Sequence, residues 1–319
     1  MKLQILKQEH ELLSFQIQGF LSYCKSKNLS QVTIEGYESI LKDFERFLGG
    51  QDILKINQIN QSVIGEYLLS LTNKEIINQA TGKVMRVGLS SYARRNRFAT
   101  IRVFFNYLVE YGYIAENSIQ KLKSPKLEKK LIQTFSAEQL SKLLSMPNQK
   151  VLNGYRDYTI MLTLLDTGMR VSELTNLRVE DIDWTENMFL VMGKGRKERT
   201  IPFSSRLKRI LWKYLDKRRH IENDFLFLDI YGEKMTRHAV QQMISKYGQR
   251  AGITKIRVSP HTFRHTFAKM WILNGGNTFS LQKILGHSTM DMVRNYVNLA
   301  SSDVQIQHRK FSPLDRMGL

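Results

Sequence analysis

The stretch PHTFRH, at residues 260–265, says more about this chain than any other part of the sequence. Pro260 favours the first turn of a helix, because its fixed φ suits that position and its missing amide hydrogen is not needed there. His261 and Arg264 are three residues apart, so a helix that begins at Pro260 carries both side chains on one face. Both can then face one phosphate group. The stretch therefore predicts a phosphate-binding helix in the second half of the chain.

Three other fragments in the same half carry residues that suit phosphate chemistry. They are TGMRVSEL at 167–174, GKGRKER at 193–199 and LGH at 285–287. Tyr296 follows nine residues after the histidine of the last fragment. The fragments are specific as a set and weak one at a time.

The first part of the chain is expected to be helical, because its apolar residues recur at helical spacing. Two helices are predicted between residues 11 and 49, separated by a turn at 28–30 in which Ser30 caps the second helix. Further helices are predicted at about 62–71 and 89–111. The first domain, residues 1–122, is therefore expected to be an all-helical bundle.

A basic stretch that contains the helix-breaking Pro125 comes next. We expect residues 123–134 to be a linker and residues 135–319 to be a second domain. Ser136 and Gln139 form a capping-box pattern that begins the first helix of this domain. Segments 188–192 and 199–202 are predicted to pair as a small antiparallel hairpin around a turn at 193–197. Further helices are predicted at 155–166, 171–177, 205–219, 236–251, 260–274, 280–285 and 290–299.

The charge of the chain indicates a polyanionic partner. There are 48 Lys and Arg residues against 29 Asp and Glu residues, which gives a net charge of +19. The excess is spread out, since residues 1–130 carry 19 basic and 12 acidic residues and residues 131–319 carry 29 and 17. Nucleic acid is the leading class of partner, and both halves are expected to touch it. Anionic membrane is a weaker alternative, because no Lys-rich amphipathic helix stands out.

Composition disfavours several other classes of protein. Cys24 is the single cysteine, so neither an intramolecular disulfide nor a four-cysteine zinc site can form, and a reducing cytoplasm is the expected setting. No apolar run approaches the roughly 20 residues that span a bilayer, so we expect no membrane segment. No cofactor and no metal is expected.

In this order the four fragments resemble the tyrosine recombinase (integrase) family, including its chromosome-dimer-resolving and transposon-borne members. The resemblance covers nearly the whole chain, because a helical first domain followed by a basic linker also looks like that family's core-binding domain. It implies a mainly α, two-domain fold, with a helical core-binding domain and a mixed α/β catalytic domain that holds a small antiparallel sheet. It also implies a site-specific DNA recombinase that works through a covalent 3′-phosphotyrosyl intermediate and rejoins strands without ATP.

The resemblance carries over a set of catalytic residues, namely Arg170, Lys194, His261, Arg264, His287 and Tyr296. Arginine suits the task because a guanidinium stays charged and offers a planar fork of donors to the charge on the non-bridging oxygens. Tyr296 is the implied nucleophile, and its phenol needs a base such as His261, or the positive field of the site, to lose its proton. Lys194 at the hairpin tip can protonate the leaving 5′-oxygen, and His287 adds a further donor.

Each of these residues also has a simpler interpretation. Arg170 and Glu173 could form a surface ion pair at helical spacing. His261 and His265 could be a pair of metal ligands, although no third ligand motif is visible. Tyr296 could be an ordinary half-buried helix tyrosine. Similarly, the lysine of the 193–197 turn could be solvated. The joint pattern favours the catalytic interpretation, with Glu173 as an orienting partner inside the site.

Basic residues outside the catalytic set are candidates for contacts with DNA phosphates or base edges. In the first domain these are Arg94, Arg95 and Arg97, whose alternative is a solvated helix face. In the second domain they are Arg196, Lys197, Arg199 and Arg237.

The resemblance also implies an assembly, a homotetramer on two double-stranded DNA sites with paired inverted repeats. We expect this protein to be cytoplasmic and associated with the nucleoid. Phe311 and Leu314 in the tail are expected to dock on a neighbouring protomer. Two rivals remain open at this point. One is a type IB topoisomerase-like enzyme that relaxes DNA as a monomer, and the other is a catalytically silent DNA-binding accessory protein.

Overall fold

The computed structural model describes residues 12–77, 81–117, 119–128, 132–193, 198–286, 289–290, 293–294, 296–297, 308 and 312. The chain divides into two units, Met1–Lys130 and Leu131–Leu319. The division falls inside the stretch 123–134 that the sequence predicts to be a linker.

Helices make up most of the described part of the first unit. They are α1 (Leu13–Ser26), α2 (Gln31–Gly49), α3 (Gln61–Asn73) and α4 (Ser91–Glu110). Ser30 begins α2 by accepting a hydrogen bond from the amide of Thr33, which confirms the predicted cap. Asn60 and Ser90 cap α3 and α4 in the same way. The polar residues in the turns therefore determine where these helices begin.

Aromatic side chains fill the core of this unit. Phe20 of α1 packs edge-on against Phe104 of α4, with ring centroids 5.5 Å apart. Phe44 of α2 packs against Tyr67 of α3, with ring centroids 4.9 Å apart. These four side chains are almost fully buried, so the faces predicted from helical spacing are the faces that meet.

The expectation that the first domain is all-helical is wrong in one place. Between α3 and α4 the chain forms an antiparallel hairpin of β1 (Glu75–Ile77) and β2 (Val84–Val87). Its strands contain β-branched residues, which favour extended backbone. Each strand has only three or four residues, so an alternating pattern is too short to stand out from the helical spacing on either side.

The second unit is built around one central helix. Its described helices are α5 (Ala137–Ser145), α6 (Leu152–Thr167), α7 (Val171–Asn176), α8 (Ser205–Lys217), α9 (Arg237–Arg250), α10 (Pro260–Leu273) and α11 (Thr278–Leu285). Helix α6 packs against both α8 and α10, and its Ile160, Met161 and Leu164 are fully buried. Ser136 and Gln139 form the predicted capping box at the start of α5. Half of the helix predicted at 290–299 lies outside the described residues.

A three-stranded antiparallel sheet lies in the same unit. Its strands are β3 (Ile182–Asp183), β4 (Met188–Met192) and β5 (Glu198–Pro202), in that order. The pairing of β4 with β5, which puts Phe189 opposite Ile201, confirms the predicted hairpin. Strand β3 was not predicted, because two residues carry no periodic signal. The hairpin turn at 194–197 lies outside the described residues.

A glycine ends the central helix where the candidate site begins. Gly168 follows α6 with φ +60°, in the left-handed region that favours glycine. A Cβ at this position would lie 2.3 Å from the ring of Phe267. Both the backbone and the packing therefore require glycine here, two residues before Arg170. None of the helices among the described residues is long and apolar enough to cross a membrane.

Candidate active site

Three arginine side chains converge on the carboxyl end of α11. Arg199 Nε, Arg264 Nη2 and Arg170 Nη2 donate hydrogen bonds to the carbonyls of residues 284, 285 and 286, at 3.1, 2.7 and 3.0 Å. The last carbonyls of a helix lack partners within the helix and carry its negative dipole end, so they are natural acceptors for cations. The end of α11 thus gathers three positive charges into one place.

Gly286 makes this arrangement possible. It ends α11 with φ +62°, and a Cβ there would come within 3.0 Å of the Arg199 guanidinium. Glycine therefore allows both the left-handed turn and the close approach of that side chain. The LGH fragment, singled out in the sequence for its histidine, contributes its backbone to the site as well.

Arg170 is held by the carboxylate of Glu173. The Glu173 Oε2 accepts from the backbone amide of Arg170 at 2.8 Å, and Oε1 accepts from Arg170 Nη1 at 2.9 Å. The contact closes a capping box at the start of α7. The Glu173 side chain is 4% exposed, so the interpretation as a surface ion pair is wrong. The expectation that Glu173 orients its partner inside the site agrees with this geometry.

A second guanidinium binds the same carboxylate. Arg199 Nη1 and Nη2 donate to Oε1 and Oε2 of Glu173 at 2.8 and 2.9 Å. Burial by itself raises the pKa of Glu173, but the hydrogen bonds from Arg199 and Arg170 outweigh it and hold that pKa below its ordinary value. One carboxylate thus serves two guanidinium groups, and the site keeps an excess of positive charge.

Arg264 is the most buried of the three arginines. Its Nη1 donates to the carbonyl of Gly168 at 2.7 Å, which ties α10 to the end of α6. Burial, and then the charge of Arg170, lowers the pKa of Arg264 to about 10. The guanidinium therefore stays charged at neutral pH. It is repelled by the Arg170 guanidinium, and a phosphate bound nearby would reduce that repulsion.

His261 lies at the mouth of this cluster. With Arg170, Arg237, His238 and Gln241 it lines a cavity of about 380 Å³. Burial, and then the nearby arginines, lowers the pKa of His261, so its imidazole is neutral at pH 7. The cavity brings together three residues that the sequence analysis singled out, namely Arg170, His261 and Arg237, with a neutral base among cations.

Tyr296 lies inside the unit and contacts a histidine that the sequence analysis did not connect with it. Its side chain is 1% exposed, and its hydroxyl is 2.7 Å from Nδ1 of His265. Burial raises the pKa of the Tyr296 phenol, and the charge of Arg264 opposes that rise. The nearest sequence signal for His265 was its spacing of four residues from His261, which suggested a metal.

The metal interpretation gains no support from the described residues. No three His, Cys, Asp or Glu side chains in that part of the chain lie close enough together to hold an ion. His265 faces Tyr296, with ring centroids 5.6 Å apart. Four candidates from the sequence lie outside the described residues, and these are Lys194, Arg196, Lys197 and His287.

The three candidate arginines of the first unit, on α4, differ in their surroundings. Arg95 is exposed on α4, whereas Arg94 is half-buried. The Nε of Arg97 lies 3.5 Å from Oδ2 of Asp43, which also accepts a hydrogen bond from Tyr67. Arg95 is therefore the one whose charge faces solvent most fully, while Arg97 is partly engaged inside the unit.

Two family models match the chain. The phage integrase family matches residues 133–303, and the phage integrase N-terminal SAM-like domain matches residues 17–112. Among curated proteins, the chain is 31% identical to tyrosine recombinase XerD of Staphylococcus haemolyticus (strain JCSC1435) over 303 residues, covering 93% of this chain and 98% of that protein. It is also 31% identical to XerD of Staphylococcus aureus (strain N315), with the same coverage.

Two solved structures share the fold. A Tn1549 transposon integrase in complex with a circular intermediate DNA matches with a TM-score of 0.73 and 20% identity, over 93% of this chain and 99% of that one. A XerH site-specific recombinase bound to a palindromic difH substrate matches with a TM-score of 0.72 and 20% identity, over 95% and 85%. The mainly α, two-domain architecture predicted from the sequence is confirmed.

Proposed function

The chain belongs to the phage integrase family of tyrosine recombinases, and we propose that Tyr296 is the nucleophile with which it breaks and rejoins DNA strands. The observation that carries this proposal is the convergence of Arg170 and Arg264 on one helix end. Two cations held there are positioned to take up charge on a phosphate that enters the adjoining cavity.

The reaction proceeds by attack of the Tyr296 oxygen on the scissile phosphorus, while the bond to the 5′-oxygen breaks. Arg170 and Arg264 stabilise the charge on the non-bridging oxygens, and His287 adds a donor. The neutral imidazole of His261 takes the phenolic proton, which the positive field of the arginines helps to release. The products are a 3′-phosphotyrosyl bond and a free 5′-hydroxyl.

Lys194 supplies the proton that the leaving 5′-oxygen needs. The long side chain of this lysine, which two glycines flank in the sequence between β4 and β5, can reach the phosphate when DNA binds. Because the phosphotyrosyl bond retains the energy of the phosphodiester it replaces, a 5′-hydroxyl from another strand reverses the step. Strands are rejoined in this way without ATP.

Double-stranded DNA is the substrate, and both units contact it. The net charge of +19 supports this proposal, as does its spread over the chain. Arg95 of α4 and Arg237 of α9 are exposed and serve as phosphate contacts. Arg199 has a different role, because its guanidinium already binds Glu173; it positions the site.

Four protomers assemble on two DNA sites with inverted repeats. An apolar cavity of about 690 Å³ in the second unit supports this step, since Leu144, Leu162, Leu165, Phe267 and Trp271 line it. It is suited to receive the large apolar residues that the tail carries beyond the nucleophile. Each tail docks in the cavity of a neighbour, which links cleavage to assembly. The protein works in the cytoplasm, on the nucleoid.

Three plasmids test the proposed function against its rivals. Inverted repeats beside the gene, which the purified protein protects from nuclease, supply the site. Supercoiled plasmids with no site, one site or two sites are then incubated with the protein. A recombinase yields recombined circles only from paired sites. Relaxation of all three plasmids without recombination would identify a topoisomerase-like enzyme, and binding without any change in topology would identify a silent accessory protein.

A further inference from the structure

The contact between His265 and Tyr296 joins the phosphate-binding helix to the proposed nucleophile. His265 follows Arg264 on α10 and lies one helical turn after His261. Its Nδ1 is 2.7 Å from the Tyr296 hydroxyl. The two rings are tilted by 46° with centroids 5.6 Å apart, so the contact is a hydrogen bond at the ring edge and not a stack. The mechanism above gives His265 no part.

The tyrosine in this position is not ready to attack. Its side chain is 1% exposed, whereas a nucleophile must reach a phosphate that enters from outside. A hydrogen bond of this kind stabilises the buried position, because losing a partner in the interior without gaining another costs free energy. Packing and hydrogen bonding thus hold the phenol in the interior of the unit.

His265 is a poor base for this tyrosine. Burial, and then the charges of His261 and Arg264, lowers the pKa of His265 to about 4. Burial raises the pKa of the phenol above its ordinary value of 10. Transfer of the proton from the phenol to this imidazole is therefore disfavoured by a factor of about a million or more. The buried phenol therefore stays protonated beside His265.

We propose that His265 is a positioning residue that holds Tyr296 in a buried, protonated storage position and releases it when DNA enters the site. The proposal rests on Tyr296 being the nucleophile of the proposed function. It goes further by giving the chain a means of keeping that nucleophile unreactive in the absence of DNA. His265 binds neither the phosphate nor the leaving group.

The matched pair His265→Asn and His265→Gln tests the storage contact. The amide of Asn lies near the position of Nδ1 and can still form a hydrogen bond with the phenolic hydroxyl, whereas the amide of Gln lies near Nε2 and cannot. The readout is nitration of the DNA-free full chain by tetranitromethane, located by mass spectrometry. Exposed Tyr231 is the reactive reference, and buried Tyr214 reports that the fold is intact.

Tyr296 should be nitrated slowly in the wild type and in His265→Asn, and about tenfold faster in His265→Gln. A third variant, His265→Leu, fills the space without any acceptor and should resemble His265→Gln. Equal nitration of Tyr296 in the Asn and Gln variants would overturn the proposal, because packing alone would then hold the side chain. If nitration of Tyr214 shows that His265→Leu disturbs the fold, the comparison of His265→Asn with His265→Gln still tests the proposal.

The rate of DNA cleavage distinguishes a storage role of His265 from a role as general base. On a nicked suicide substrate, His265→Asn should form the covalent adduct at near the wild-type rate, and His265→Gln should form it at least as fast. A general base at this position would instead cost a hundredfold or more in every variant, and that result would contradict storage. If the wild type forms no adduct while the nitration pattern holds, the proposed function fails and the storage contact stands.

Discussion

Glu173 binds the guanidinium of Arg199 through both carboxylate oxygens, at 2.8 and 2.9 Å. The same carboxylate holds Arg170, which faces the cavity proposed to take the phosphate. One acidic residue therefore sets the position of two cations, one in the hairpin strand β5 and one at the start of α7. Strand β5 is thereby linked to the start of α7 through this carboxylate.

Glu173→Gln should destabilise the second unit by about 3 kcal/mol, because two partly buried guanidinium groups lose the buried carboxylate that is their counter-charge. The three tryptophans, Trp184, Trp212 and Trp271, all lie in this unit, so their fluorescence during urea unfolding of the full chain reports on it alone. Glu180→Gln is the control. Its carboxylate is 75% exposed and 3.7 Å from Arg178, and its loss should cost less than about 1 kcal/mol.

The destabilisation caused by Glu173→Gln should decrease as the pH falls. The pKa of Glu173 is lower in the folded chain than its ordinary value. The ionised Glu173 therefore contributes its full share to the free energy of unfolding above the pKa of the unfolded chain, near 4.3. This stabilisation is lost as the pH falls through the lower pKa of Glu173 in the folded chain. The gap between wild type and Glu173→Gln should be full at pH 7 and should narrow under acid conditions. A gap that stays constant down to pH 3 would argue against the ion pair.

Gly286→Ala should impair catalysis more than its cost in stability explains. An alanine with φ +62° costs about 1–2 kcal/mol, and its Cβ would press on Arg199. Gly252→Ala is the matched control, since Gly252 has φ +69° and nothing lies within 4 Å of the added Cβ. Both variants should lose similar stability in urea, while only Gly286→Ala slows adduct formation. Equal rates of adduct formation in the two variants would show that the position of Arg199 does not matter for catalysis.

Arg95→Ala should weaken DNA binding by removing a phosphate contact. The plot of log K against log salt should become shallower by about 0.9 relative to the wild type. Arg97→Ala should change the slope less, because the Arg97 Nε lies 3.5 Å from Asp43 in the half-buried surroundings of α4. A wild-type slope below that of about three phosphate contacts would show that the charge of +19 serves another purpose.

Lys194→Ala should cleave ordinary DNA slowly and recover on a modified substrate. When sulfur replaces the bridging 5′-oxygen, the leaving thiolate needs no proton. This substrate should rescue Lys194→Ala and leave Arg170→Ala slow, because the Arg170 defect concerns the charge on the non-bridging oxygens. Rescue of both variants, or of neither, would show that Lys194 only grips the DNA.

Much of the fold was accessible from the sequence, because it depends on local patterns. Helical spacing and capping residues such as Ser30 and Ser136 predicted the described helices to within a few residues. The hairpin of β1 and β2 was missed, since its strands are short and their pairing is set by contacts that no spacing encodes. Strand β3 was missed for the same reason.

The candidate site was predictable in its residue types and in one of its contacts, but not in the contacts between residues far apart in the chain. The motif fragments singled out Arg170, Arg264 and Tyr296, and the i, i+3 spacing correctly paired Arg170 with Glu173. The role of Arg199 was not evident, because Glu173 is 26 residues away in the chain. The contact of His265 with Tyr296 spans 31 residues and depends on how helices pack, which residue spacing does not specify.

The identity of the nucleophile is tested most directly by locating the covalent bond. Wild type, Tyr296→Phe and the exposed control Tyr231→Phe are incubated with a suicide substrate nicked near the cleavage point. The adducts are resolved under denaturing conditions and mapped by mass spectrometry. Wild type and Tyr231→Phe should each trap DNA on the peptide that contains residue 296, while Tyr296→Phe should bind the same DNA and trap none. An adduct that persists in Tyr296→Phe, or that maps to another residue, would contradict the account.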